Sequence, residues 1–309
     1  MALKKMMKKK YAIFWVGLVL LCGTLMALTT EAREMIDQTG RTVNVPESPK
    51  RVVSLAPSIT EIIYDLGCED RLKGVTTYSD FPEAAKALPK VGSYVYLDLE
   101  KIVSLKPDLC IGIKDGNPKE TVMRLEALGI PVYAVNPRSL ATIHSTVIEI
   151  GDLLEAPAAA RRVADTMQER LDHVRRKVQT AGPRPRIFFQ IGIAPIVSAG
   201  SDTFIHELIE AAGGVNLAGT YTGYPRFSFE EIVAAGPDML IITSMDREQA
   251  FEEARNTWRK WHTIPAVKND RIFLVDSNLF DRPTPRLMDG LEILARLIHP
   301  ELDFDKDRQ

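Results

Sequence analysis

Short β-branched runs and stretches of helical period take turns along the chain. "RVVSLAPSITEIIYDLG" reads as a strand over Arg51–Leu55 followed by a helix, with Ser58 or Thr60 as N-cap and Gly67 as the stop. "PDLCIGI" precedes a helix from about Lys119 to Leu128, and "IPVYAV" precedes another from about Leu140 to Leu154. Such strand-then-helix units predict a mostly parallel sheet covered by helices. Between Ala156 and Gly182, apolar Val163, Met167, Leu171, Val174 and Val178 recur at spacings of three and four among charged residues, which predicts one long amphipathic helix closed by Gly182-Pro183. "RPRIFFQIG" then opens a second series: a helix from about Thr203 to Ala212, the strand "DMLIITS", a helix near Arg247 to Ala254, the strand "RIFLVD" and a last helix from about Pro285 to Ile298.

Within this alternation one phrase occurs twice. "LEKIVSLKPDLCIG" (Leu99–Gly112) and "FEEIVAAGPDMLII" (Phe229–Ile242) share an acidic residue, an apolar pair, a spacer, Pro-Asp and a buried strand, about 130 residues apart. That period is too wide for a solenoid and fits two similar lobes. The predicted fold is therefore α/β, with two similar α/β lobes joined by a single long rigid helix. The lobes are expected at 33–155 and 183–309, with the connecting helix at 156–182. The apolar part of the echo is a common αβ phrase. Its glutamates, Glu100 and Glu230, also suit a helix N-terminus whatever their function.

The formal charge of −2 conceals an asymmetry, because the first 32 residues hold five lysines and one glutamate, leaving about −6 on the remainder. A mildly acidic body argues against nucleic acid as a partner. "KKMMKKK" and the apolar stretch Tyr11–Leu28 read as an export signal, 1–32, cleaved after Ala32. The same stretch is at the lower limit for a retained membrane anchor. Cys22 offers lipid attachment as a third option, although "VLL" before it lacks the usual small residue. Cys68 and Cys110 in the exported part are expected to be buried, unpaired thiols.

Catalytic signatures fail. "HELIE" lacks the second histidine of a zinc-protease helix, and the phosphate-cradling, dinucleotide-binding and nucleophile-elbow glycine patterns are missing from the sequence. No pattern supplies a nucleophile, base and orienting group, so an enzyme is not expected. A structural or adhesive module is the other class, and it would not respond to a small ligand. The loops after the strands instead carry Tyr78, Tyr94, Tyr96, Tyr221, Tyr224, Phe280 and Arg282. Ligands of α/β lobes sit beyond the carboxyl ends of strands, so these side chains predict a wide, partly apolar cleft.

At "RVVSLAPSITEIIYDLG", "YSDFP", "LEKIVSLKPDL", "FFQIG" and "SNLFDRPTPR" the sequence resembles the periplasmic cobalamin-binding proteins of ABC importers, a group among the iron-complex and corrinoid substrate-binding proteins. The similarity covers nearly the whole exported chain. It implies a periplasmic monomer that takes cobalamin or a related corrinoid between two lobes and delivers it to a permease dimer with its ATPase. The corrinoid is cargo and no cofactor is implied. By the same resemblance, Tyr78 and the loop Asn278, Leu279, Phe280, Asp281 and Arg282 touch the corrin, with Tyr94 and Tyr224 flanking it. Glu100 and Glu230 correspond to the acidic knobs that dock on the permease subunits. The chain departs from the pattern at Tyr94, Ile113 and Tyr224, where well-known members carry tryptophan. The alternative cargo within the same fold is haem or a ferric siderophore, with Tyr94 or Tyr96 as a phenolate ligand to ferric haem.

Overall fold

A computed structural model of the chain describes residues 32–243 and 248–304. Residues 1–31, and with them nearly all of the expected export signal, lie outside the described residues.

After a hairpin of β1 (Ala32–Ile36) and β2 (Thr42–Pro46), the first lobe is built on β3 (Val52–Ser54), β4 (Leu72–Gly74), β5 (Leu109–Ile113) and β6 (Val132–Val135). These pair in the order β4-β3-β5-β6, all parallel. The second lobe repeats the motif with β7 (Arg186–Gly192), β9 (Val215–Asn216), β11 (Met239–Ile242) and β12 (Ile272–Leu274): β9 and β11 flank β7, and β12 follows β11, all parallel. Here β8 (Ile196–Ser198) and β10 (Arg226–Phe227) add an antiparallel edge that the sequence reading did not anticipate. Both strands are too short to show an alternation.

Helices Lys119–Ala127, Leu140–Leu153, Phe204–Ala211 and Leu287–Ile298 fall within two residues of their expected bounds. The helix expected near Arg247–Ala254 runs further, over Glu248–Arg259. The helix Pro57–Asp65 starts earlier than Ser58 or Thr60 would allow: Ala56 is its N-cap and Pro57 opens the first turn, where a missing N–H costs nothing. Ser58 and Thr60 are instead buried inside it.

The echo has a structural explanation. Glu100 and Glu230 are each the second residue of a short helix, Leu99–Ser104 and Phe229–Ala235. Both helices end in a left-handed residue, Lys106 (φ 48°) and Gly236 (φ 58°), directly before the proline. The aspartate that follows pins the start of the neighbouring strand: Asp108 accepts from the Arg51 N–H at 2.9 Å and Asp238 from the Arg186 N–H at 2.8 Å. Isoleucines 102 and 232 anchor the two helices in the core.

The connecting helix is Pro157–Val178, roughly 33 Å long at 1.5 Å per residue. Its buried stripe is Ala160, Ala164, Met167, Leu171 and Val174, and the largest hydrophobic core runs continuously from the first lobe through this stripe into the second. Gly151 lets the helix approach Leu140–Leu153 closely, since a Cβ there would stand 2.2 Å from that of Ala160. Arg170 fixes the other side through Asp289 (2.6 Å) and Glu292 (2.9 Å) on Leu287–Ile298. A hinge at this helix would have to break a shared core.

Candidate functional site

Loops after the strand ends of the two lobes come together, joined by Arg138 to Asp202 and by Arg282 to Asp80, and the space between them is the candidate cleft. In the first lobe, Tyr78 is half-exposed and Tyr94 half-buried. Asn117, just past β5, sets the backbone under Tyr94: its amide donates to the carbonyls of Leu55 (2.9 Å) and Tyr94 (2.8 Å), while its Oδ1 accepts from the Ile113 N–H at 2.7 Å. The Tyr94 ring lies over Gly116, whose φ of 140° and missing Cβ make the room; a methyl group there would stand 2.6 Å from the ring.

In the second lobe, Tyr224 is half-exposed, at the end of a loop stitched to Gly200, Ser201 and Asp202. Gly200 must be glycine for this, because a Cβ would come within 2.4 Å of the Tyr221 carbonyl. Asp281 lies between the walls. Its electrostatic field reaches both Tyr94 and Tyr224, and Tyr94 also feels Tyr78. Burial pushes the Asp281 carboxyl up to about 7, even though the Thr243 hydroxyl donates to both of its oxygens at 3.1 and 3.0 Å. Loss of water around the hydroxyl likewise raises Tyr94 and, although its ring is half-exposed, Tyr224 above the ordinary tyrosine value.

The loop Asn278–Arg282 divides by depth. Asn278 and Leu279 are half-buried in the helix Ser277–Phe280. Phe280, expected to touch the ligand, is a core residue: it is fully buried, 5.9 Å from the Phe189 ring and against Gly290. An apolar ring packed on Phe189 and Gly290 gains more by turning inward than by facing water in the cleft. Arg282 crosses between the lobes, pairing with Glu61 (2.8 Å) and Asp80 (2.9 Å) and donating to the Tyr78 carbonyl at 3.0 Å. Arg286 joins the same buried Glu61 at 2.9 Å and lies 3.5 Å over the Phe81 ring. On the far side of the cleft, Arg138 pairs with Asp115 (3.2 Å) and with Asp202 of the other lobe (2.7 Å).

The sequence pointed to the tyrosines of these loops and gave no sign of Asn117, Glu61, Asp80, Arg138 and Asp202. A polar residue in a loop carries no periodicity, and even Glu61, inside the helix Pro57–Asp65, takes its partners Arg282 and Arg286 from 221 and 225 positions away. Glu100 and Glu230 stand apart from the cleft, exposed, and neither carboxylate has an ion-pair partner among the described residues. Cys68 and Cys110 are both free and buried, as expected. Among the described residues no cluster of His, Cys, Asp and Glu could hold a metal ion, and no helix is long and apolar enough to cross a membrane. A cavity of about 330 Å³ between the connecting helix, Asp65 and Arg286 carries none of these tyrosines on its walls, and its charges include interlobe ion-pair partners.

Comparison with known proteins places this geometry. The model of the periplasmic binding protein family matches residues 52–279. A vitamin B12-binding protein of Vibrio vulnificus (strain CMCP6) is 34% identical over 245 residues, covering 79% of this chain and 88% of that protein. The crystal structure of the periplasmic vitamin B12 binding protein BtuF of Vibrio cholerae superimposes with a TM-score of 0.70 at 31% identity, over 81% of this chain and 96% of that one. A periplasmic heme binding protein from Pseudomonas aeruginosa gives 0.75 at 30% identity, over 82% and 94%.

Proposed function

Because the chain belongs to the periplasmic binding protein family, we propose that it is the solute-binding component of an ABC importer and carries cobalamin or a related corrinoid between its lobes. The observation that carries the choice of cargo is the state of the charges beside the tyrosines. Arg138 and Arg282 are each held between two protein carboxylates, which leaves aromatic faces, tyrosine hydroxyls and the Asp281 carboxyl to meet the ligand. A corrin rimmed with neutral amides suits such a cleft: rings stack on its faces, and hydroxyl and carboxyl groups bond its edge. Tyr78, Tyr94, Tyr224, Asn278, Leu279 and Asp281 are the proposed contacts, with Arg282 holding their loops.

Haem is the second reading, favoured by the likeness to the Pseudomonas protein. It would bring two carboxylates to a cleft whose guanidiniums are already neutralised, and it would draw on a phenolate from a Tyr94 whose proton is held more tightly than usual. Isothermal titration with cobalamin, cobinamide and haemin decides between them. Tight corrinoid binding with weak haemin binding is expected, and the reverse order would overturn the corrinoid reading.

Export by a cleaved signal at 1–32 and a periplasmic location complete the proposal. Docking on a permease dimer is assigned to Glu100 and Glu230, matched in position and open to arginine partners. Catalysis is not part of the proposed role.

A further inference from the structure

We propose that Arg138 is a positioning residue that sets the gap between the two aromatic walls of the cleft, by bridging Asp115 under one wall to Asp202 under the other. The proposal rests on the solute-binding reading above. Asp115 immediately precedes Gly116, the residue over which the Tyr94 ring lies. Asp202 accepts the main-chain N–H of Gly223, immediately before Tyr224. Arg138 joins the two, with Nη1 on Asp115 at 3.2 Å and Nη2 on Asp202 at 2.7 Å. One planar guanidinium thus connects the backbone on which the Tyr94 ring rests to the backbone that carries Tyr224, across the lobe boundary.

Among the described residues, the rest of the Tyr224 loop is tied within its own lobe, through Gly200 to Gly223 (2.8 Å) and Ser201 to Tyr221 (2.8 Å). Tyr221 also has the Phe227 ring, edge-on at 5.2 Å. The Arg138 bridge is therefore the ion-pair link from this loop to the opposite wall, beside the bond from the Leu140 N–H to the Glu207 carboxylate (2.7 Å) that joins the two lobes just behind it. A bound macrocycle sandwiched between the walls leaves when they part, so the bridge acts on how long the ligand stays more than on how fast it arrives. The three side chains are between a third and about half exposed, which makes the link sensitive to ionic strength.

The test uses the full exported chain, with cyanocobalamin as the probe. Raising salt from about 0.01 M to about 1 M, which shortens the screening length from about 30 Å to about 3 Å, should speed dissociation of the wild-type complex about threefold. Arg138→Gln should dissociate about threefold faster at low salt and lose most of that salt response, while Arg138→Lys restores part of both. In the ligand-free protein, Arg138→Gln should increase hydrogen exchange at the Gly223 and Tyr224 amides. Asp202→Asn, which keeps an acceptor for the Gly223 N–H, serves as the second variant should Arg138→Gln fail to fold. Arg138→Gln that dissociates at the wild-type rate with an intact salt response, together with unchanged exchange at Gly223 and Tyr224, would overturn the proposal. Should cyanocobalamin not bind at all, the corrinoid reading fails, and the exchange measurement still decides whether the bridge holds the wall.

Discussion

Arg282 reaches out of the second lobe to donate, through Nη2, to the main-chain carbonyl of Tyr78 in the first, at 3.0 Å. The same guanidinium pairs with Glu61, which is 1% exposed and also holds Arg286. One buried carboxylate therefore anchors two arginines from the opposite lobe. Glu61→Ala would leave both without their shared partner, and the loss of stability should be about 3 kcal/mol. Urea unfolding measures it, and a loss under about 1 kcal/mol would mean that solvent reaches the pair.

Gly116 tests the wall itself. Gly116→Ala puts a methyl group 2.6 Å from the Tyr94 ring and forces alanine to a φ of 140°. The ring must move off its place, so corrinoid affinity should fall about tenfold, close to 1.4 kcal/mol. Unfolding free energy should fall as well, because the strain is local backbone strain. Titration calorimetry of the folded variant separates the two effects. Unchanged affinity would remove Tyr94 from the ligand surface.

Much of this architecture was legible in the sequence, and the reason is physical. The βα alternation, the stripe on Pro157–Val178 and the echoed Pro-Asp all reflect burial or local backbone geometry, which leave periodic or adjacent marks. The tyrosines are candidates because of their place after strands, which the sequence shows. Phe280 was misread because an aromatic residue in a loop looks the same whether it turns inward or outward. The Asp115–Arg138–Asp202 bridge was out of reach, since its members are separated by 23 and 64 positions and join only once both lobes have folded.

Asp281 should make stability and binding depend on pH. Its carboxyl binds a proton more tightly in the folded chain, at about 7 against an ordinary 3.8, because burial disfavours the charge. Below about 4 both states are protonated and the residue imposes no penalty. Between about 4 and 7 the unfolded chain releases its proton first, so this contribution makes stability fall as pH rises, and the full penalty is reached above about 7. Asp281→Asn removes the dependence. The variant should therefore gain on the wild type in melting temperature as pH goes from about 5 to about 8. A constant difference between the two curves would mean that Asp281 titrates at its ordinary value.

Glu100 and Glu230 share more than a sequence phrase: each is the second residue of a short helix whose far end is fixed by a left-handed turn and a strand-pinning aspartate. Their separation is thus set by the two sheets and by the core that runs through the connecting helix. A two-fold permease reads such a pair as one unit, since the second contact forms at high effective concentration once the first is made. Glu100→Ala or Glu230→Ala alone should weaken docking by about tenfold or less, while the double variant should lose far more than either. Corrinoid affinity should stay at the wild-type value in all three, because neither carboxylate borders the cleft. Uptake by reconstituted transporter, read beside titration of the free protein, checks both halves. A double variant that transports normally, or one that loses its ligand, would remove the docking role from this pair.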